Sequence, residues 1–420
     1  MLKNYLKIVF KTLMQKKFFS ALNLFGISTT VMIIMIAALI FDNQTAPKPP
    51  EVNLDRMLFI TRVKTEYENG MSLNALSLKL INKYLKTFKT GALTCTSTEG
   101  DFELFTSGRL LRKKIIYTDY PFWSIYQFDF LEGRPFNRSE FDQKESIIVI
   151  SESLRKQIFK NGPAIGKTIT LRMKDFRVVG VVKDVSVTCS HTFADAWAPY
   201  TVAPGEAEYT DSWGGGFNLS ILPLQKADQQ KIIAEIQEIM RKLNVQLRPE
   251  KTKIFISGPE TSMELYARGY SDHTKFGGLG NYMAKWIGVL LLFMLLPSIN
   301  LMSLNITRIR ERASEIAVRK AFGASRRRLF NQLLAENIIL TLTGGLLGLV
   351  MAVGVMHLFT YQLLGIESNL GNVPIKIIVN YYIFGLALLT CFVFGILSGV
   401  LPALKMSKMN PAEVLKGGSK

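Results

Sequence analysis

The chain has 420 residues, 51 Lys and Arg against 33 Asp and Glu, a net charge of +18 and a mean hydropathy of +0.18. So many charges beside a positive mean hydropathy imply that very apolar and very polar stretches are segregated, and the basic excess points to nucleic acid or a membrane surface. Three Cys and three His without a C-x-x-C pair exclude the usual Cys/His metal centres.

The first 17 residues hold five lysines and no acid. Leu2, Tyr5, Leu6, Val9, Phe10, Leu13 and Met14 recur at helical spacing opposite those lysines, which predicts an amphipathic helix on the membrane surface. Residues 18–41 have no ionisable group and exceed the roughly 20 positions a spanning helix needs. That apolar core is also longer than a signal peptide's, and no A-x-A site ends it, so the span is expected to be retained. Residues 44–55, "QTAPKPPEVNLD", form a Pro-rich exit from it.

Residues 42–285 read as one large α+β domain, expected as two subdomains. "MLFITRV", "SIIVIS", "TITLRM", "FRVVGVV" and "FNLSILPL" have strand composition. "LNALSLKLINKYLKTF" has helical spacing at Leu73, Leu76, Leu80, Ile81 and Tyr84, and "QKADQQKIIAEIQEIMRKL" has it at Ile232, Ile236 and Met240. "NGPAIGKT" (161–168) imitates a phosphate-binding loop, but Asn161 stands where the pattern needs Gly. The order is also inverted, helix before and strands after, so a turn is expected. "SWGGGF" (212–217) does not open a helix and reads as a flexible loop. His191 and His273 are isolated, which favours surface or capping roles over catalysis. Cys95 and Cys189 make a candidate disulfide if this domain faces an oxidising compartment. No catalytic, cofactor-binding or metal-binding constellation emerges, so the chain is not expected to be an enzyme.

Residues 286–307, 337–366 and 377–404 are further candidate spans, giving four. Pro297 predicts a kink in the second, where Asn300 and Asn305 can hydrogen-bond within a bundle. Gly344 and Gly348, like Gly395 and Gly399, have the small-xxx-small spacing of closely packed helices. No span carries a charge at its centre, which argues against a proton- or ion-coupled carrier. Residues 308–336 hold eight basic and three acidic residues, and the tail 405–420 holds four lysines and one acid. The positive charge therefore gathers beside the spans, placing both termini and the 308–336 loop in the cytoplasm and residues 42–285 on the far side. A nucleic-acid partner is excluded by the same distribution. Within 308–336, Glu315 and Arg319 stand four apart on a short helix with Val318, Ala321 and Phe322 on one side. Gly323 can end that helix and Ser325 can cap the next. Spacing leaves two readings open: a segment held by lipid headgroups, or a helix presented to a cytoplasmic partner.

One span, a large external domain and three further spans joined by "EIAVRKAFGAS" resemble an ABC transporter permease of the MacB/FtsX-like family. "DFLEGRPF", "VISESLRKQIF", "AIGKTI" and "VVGVVKD" resemble its external domain. "SINLMSLNITRIRERASEIAVRKAFGASRRRLFNQLLAEN" and "LPALKMSKMNPAEVLKGG" resemble its coupling region and closing segment. The resemblance implies a permease of the bacterial inner membrane, dimeric with itself or a paralogue, bound to separate cytoplasmic ABC ATPase subunits. ATP and Mg would sit on those subunits and no cofactor on this chain. Glu315, Val318, Arg319, Lys320, Phe322, Gly323, Ala324 and Ser325 would couple ATP hydrolysis to the external domains by mechanotransmission, for export or envelope transport, with an extracytoplasmic adaptor or effector as a further partner. The alternative is an FtsX-like scaffold that regulates cell-envelope enzymes or a sensor. A membrane-bound enzyme acting through the external domain finds no supporting motif.

Overall fold

The computed structural model describes residues 17–106, 109–160, 162–171, 174–204, 212–268, 278–289, 291–292, 318, 322 and 325–363, with scattered positions between 382 and 404. The chain separates into two units, one holding Met1–Asp42, Ala284–Gly365 and Ile377–Lys420, the other Asn43–Met283 and Ile366–Lys376.

The first helix, α1 (Lys17–Thr45), continues four residues beyond the apolar run expected to end at Phe41. After it come β1 (Leu58–Ile60), β2 (Arg62–Tyr67), β3 (Gly70–Leu76), α2 (Leu78–Lys83), β4 (Ala92–Thr106), β5 (Arg109–Thr118) and α3 (Phe122–Ile125). β6 (Phe130–Gly133), α4 (Arg138–Asp142), β7 (Ile147–Ser151), α5 (Glu152–Phe159), β8 (Thr168–Leu171) and β9 (Lys174–Val182) follow. The unit closes with β10 (Ala196–Pro199), β11 (Gly214–Gly215), β12 (Asn218–Pro223), α6 (Gln229–Gln246), β13 (Lys253–Ser257) and α7 (Ser262–Arg268).

Nine strands form a mixed sheet in the order β1-β12-β4-β5-β10-β7-β9-β6, with β8 paired to β9. The β5–β10 and β7–β9 pairs are parallel. Alternation explains why "SIIVIS" is apolar throughout. Ile148 and Ile150 enter one core with Leu58, Ile60, Ile115 and Ala196, while Ile147 and Val149 enter a second with Phe59, Ile116 and Trp197. The central strands are thus buried on both faces, which requires a continuous apolar run rather than an alternating one. The α6 residues Ile232, Ile236, Met240 and Leu243 cover the first face. Each such burial contributes about 1.5–3 kcal/mol. An aromatic cluster of Phe122, Trp123, Phe128 and Trp197 fills the other.

Two local expectations are corrected. Residues 70–76 form strand β3, not the start of a helix, because they pair with β2 from Val63↔Asn74 to Tyr67↔Gly70. The helix begins only at Leu78, where the Ser77 hydroxyl accepts from the Leu80 amide, and Leu73 is left exposed. "SWGGGF" is not a free loop either: Gly214 and Gly215 pair with Leu76 and Ala75, completing a four-stranded sheet of order β11-β3-β2-β13. A side chain at 215 would come within 2.7 Å of the Leu76 carbonyl.

"NGPAIGKT" lies between α5 and β8, as the helix-then-strand order predicts. Gly166 has φ +79°, a left-handed turn that glycine adopts without strain, and its amide donates to the Val178 carbonyl at 2.8 Å. No helix opens there to face a phosphate.

Residues 278–289 are helical, and in the other unit α8 spans Arg326–Leu363. Among the described residues two helices are long and apolar enough to cross a membrane, at Leu24–Asn43 and Ile338–Phe359. Most of 286–307 and 377–404 lies outside the described residues.

Candidate functional site

The α1 and α8 helices pack through small residues. Ile27, Val31, Met35 and Leu39 meet Leu340, Leu349, Ala352 and Met356 in a buried cluster. A Cβ at Gly344 would lie 2.7 Å from Ile27, and one at Gly348 would lie 2.5 Å from the Ser28 carbonyl oxygen and 2.8 Å from Val31. The Ser28 hydroxyl donates to the Gly344 carbonyl at 2.9 Å. Contacts that advance from Ile27 with Gly344 to Val31 with Gly348 mean the two helices run parallel. Gly395 and Gly399 lie outside the described residues.

Close approach makes Gly348 intolerant of a side chain. Gly348→Leu should destabilise the pair by roughly 1–3 kcal/mol through overpacking. Gly354→Leu, where a Cβ meets nothing within 4 Å, should be neutral. Thermal unfolding of the detergent-solubilised chain checks this: equal midpoints for both variants would contradict the packing.

Of the expected coupling residues, Val318, Phe322 and Ser325 are described; Glu315, Arg319, Lys320, Gly323 and Ala324 lie outside the described residues. The Phe322 amide donates to the Val318 carbonyl at 3.0 Å, one helical turn. Its ring is 87% exposed. Ser325 caps α8, its hydroxyl accepting from the Arg328 amide at 3.3 Å. The basic Arg326, Arg327 and Arg328 therefore open α8 at the same end of the parallel pair as Lys17 of α1.

Buried charge concentrates elsewhere, in the arm between α1 and β1. The Lys48 ammonium donates to the Asn43 carbonyl in the last turn of α1 and to the Thr188 hydroxyl at 2.7 Å. Glu51 is 1% exposed; one carboxylate oxygen accepts from the His191 amide and the Thr192 hydroxyl, each at 2.9 Å. Burial pushes the Glu51 carboxyl up to about 7, although the Thr192 and His191 bonds and Lys48 oppose the shift. The His191 ring stacks on Phe59 with centroids 3.9 Å apart, and burial holds it down at about 4. The residue as a whole is partly buried, packed against Phe59 rather than standing free on the surface. Phe59 exchanges both backbone hydrogen bonds with Glu260, at 2.8 and 2.9 Å. Glu260 in turn pairs with Arg268 at the end of α7, 2.7 Å away. His273 lies outside the described residues.

The candidate disulfide is not formed: Cys95 and Cys189 are free, buried thiols. Cys95 sits on β4 opposite Ser220 of β12, whereas the Cys189 thiol donates to the Pro49 carbonyl at 3.8 Å. Their strand and loop thus direct the two sulfurs to different partners. Burial raises both thiols, Cys189 to about 12, so each stays protonated and unreactive. Among the described residues no three His, Cys, Asp or Glu gather as a metal site. What the arm offers is mechanical: fixed hydrogen bonds joining the end of α1, residues 48–51 and a remote loop. Sequence reading missed Lys48, Glu51, Thr188 and Thr192; charges inside the Pro-rich "PKPPE" were the one available signal.

Two family models match the chain, the MacB-like periplasmic core domain over residues 20–239 and the FtsX-like permease C-terminal domain over residues 287–411. The ABC transporter permease YvrN of Bacillus subtilis (strain 168) is 25% identical over 305 residues, covering 71% of this chain and 68% of YvrN. The macrolide export ATP-binding/permease protein MacB of Escherichia coli (strain K12) is 25% identical over 296 residues, 70% of this chain and 42% of MacB. The chain thus spans less than half the length of that MacB. The crystal structure of the periplasmic region of MacB from Actinobacillus actinomycetemcomitans covers 48% of this chain and 89% of that region, with 17% identity and a TM-score of 0.34. With the periplasmic core model alone matching more than half of its residues, the chain belongs to the MacB/FtsX-like family of ABC transporter permeases.

Proposed function

We propose that the chain is the permease subunit of an ATP-driven transporter that works by mechanotransmission for export or envelope transport. It crosses the bacterial inner membrane four times, with residues 42–285 outside and both termini and the 308–336 loop in the cytoplasm. It pairs with a second permease copy or a paralogue. Separate ATPase subunits dock on the 315–325 stretch and carry the ATP and Mg; this chain holds no cofactor. Hydrolysis there tilts the spans and rearranges the external domains.

The observation that carries this reading is the parallel α1–α8 pair with basic residues at one shared end. Parallel spans whose basic ends coincide fit the charge bias that holds Lys and Arg in the cytoplasm. The α+β unit then follows α1 on the far side. The exposed Phe322 ring adds an apolar anchor on the cytoplasmic segment.

Reporter fusions test the topology. Fusions at Thr210 and Asn369 should read extracytoplasmic, and those at Arg326 and Lys420 cytoplasmic. A cytoplasmic signal at Thr210 would overturn the reading. Affinity purification from native membranes should also bring down an ABC ATPase.

A further inference from the structure

The last turn of α1 and the arm after it are gripped by a loop about 140 residues away in sequence. Lys48 ties the α1 carbonyl terminus to Thr188, a placement a cation favours because helix carbonyls carry negative partial charge. Glu51 accepts from two groups of the same loop, His191 and Thr192. Between them, Pro49 and Pro50 restrict the arm's backbone, and their carbonyls are also held, by the Cys189 thiol and by the Gln127 amide at 2.9 Å. The arm is therefore a stiff strut fixed on several sides.

The loop is fixed at its own far end. Asp195 accepts from the Lys113 ammonium and the Lys114 amide, each at 3.0 Å, on β5. Its backbone bonds the Lys114 carbonyl and the Ser151 amide, at β5 and β7, each at 2.9 Å. Lys113 and Asp195 are both buried. From the end of α1 to the centre of the nine-stranded sheet, each step is a hydrogen bond, an ion pair or a few residues of chain, from Lys48 to Glu51 and from Thr192 to Asp195. A side branch runs from His191 through Phe59 to Glu260 and Arg268 of α7. Apolar contacts would hold this arm as well as buried charges do, but they slide, whereas directed bonds fix register.

We propose that the 186–192 loop is a clamp that passes displacement of α1 into the sheet, with Lys48, Glu51, Thr188 and Thr192 as its positioning residues. This rests on the permease reading and specifies where the external domain receives its motion.

The test uses the full-length permease with its ATPase in nanodiscs and a bio-orthogonal label at the exposed position 242 of each copy. The readout is the change in copy-to-copy label distance on adding ATP. Thr188→Val and Thr192→Val each remove one hydroxyl and keep side-chain shape, and unfolding midpoints check that both variants fold. The double variant should keep ATPase binding and hydrolysis but lose at least half of the ATP-dependent distance change. Thr90→Val is the control: it breaks a partly buried 2.6 Å bond to Glu235 on α6, away from the arm, and should leave the change intact. Undiminished motion in the double variant overturns the clamp, and so does an equal loss in the Thr90 control, which would mean general loosening. Failure of the wild type to bind an ATPase would instead remove the permease reading beneath it.

Discussion

Phe322→Asp should lower affinity for the cognate ATPase by at least about 30-fold while the permease inserts and unfolds as before. The ring is 87% exposed in the single chain, so replacing it removes little of the chain's own packing. Large exposed aromatics beside a helix turn commonly anchor an interface, and truncating such an anchor costs about 2 kcal/mol or more. Aspartate adds a charge that must be desolvated in any apolar groove. Ser325→Ala separates docking from helix stability. It removes the hydroxyl that caps α8, which costs about 1 kcal/mol, yet leaves the ring in place, so it should lower the unfolding midpoint while costing far less affinity than Phe322→Asp. Titrating the purified ATPase against permease in nanodiscs reads both variants. Wild-type affinity for Phe322→Asp would reduce the 315–325 stretch to a membrane-surface segment.

What the sequence makes legible here follows from the range of the interactions. α1, α6 and the strands β1, β7, β8, β9 and β12 arise from apolar patterns that are local in the chain, whereas β4, β5, β6 and β10 of the same sheet were not picked out. The turn at "NGPAIGKT" was readable because its inverted order and the Asn161 mismatch are also local. β3 was misread for a physical reason: Leu73, Leu76 and Leu80 suit a helical stripe, and only the pairing with β2 decides for a strand. "SWGGGF" misled in the same way, since its partner strand lies far back at Leu76. The arm was the least legible of all. Lys48 and Glu51 meet partners about 140 residues away, and nothing near Thr188 or Thr192 marks those hydroxyls as acceptor and donor for buried charges. The thiols repeat the lesson, for sharing one core did not bring Cys95 and Cys189 together.

Buried charge in that arm makes stability depend on pH, and Glu51→Gln isolates the effect. Burial raises the Glu51 carboxyl from its ordinary 4.5 to about 7, so the folded state favours the protonated form. The stability contributed by that preference is fully present below the unfolded value of about 4.5 and is lost as pH rises through about 7. A shift of this size corresponds to roughly 3 kcal/mol. Glutamine imitates the protonated acid, and its carbonyl oxygen can still accept from the His191 amide and Thr192 hydroxyl. Relative to wild type, the variant should therefore gain stability at pH 8, by roughly 6–12 °C in the unfolding midpoint for a unit of this size. That gain should shrink as pH falls through 7 and vanish near 4.5. His191 works in the opposite direction: held at about 4, it destabilises both proteins as pH falls below about 6.5 and cancels from the comparison. Thermal unfolding of both full-length proteins in detergent from pH 4.5 to 8 gives the answer. A midpoint difference that stays constant across that range would mean that Glu51 is ionised in the folded chain throughout.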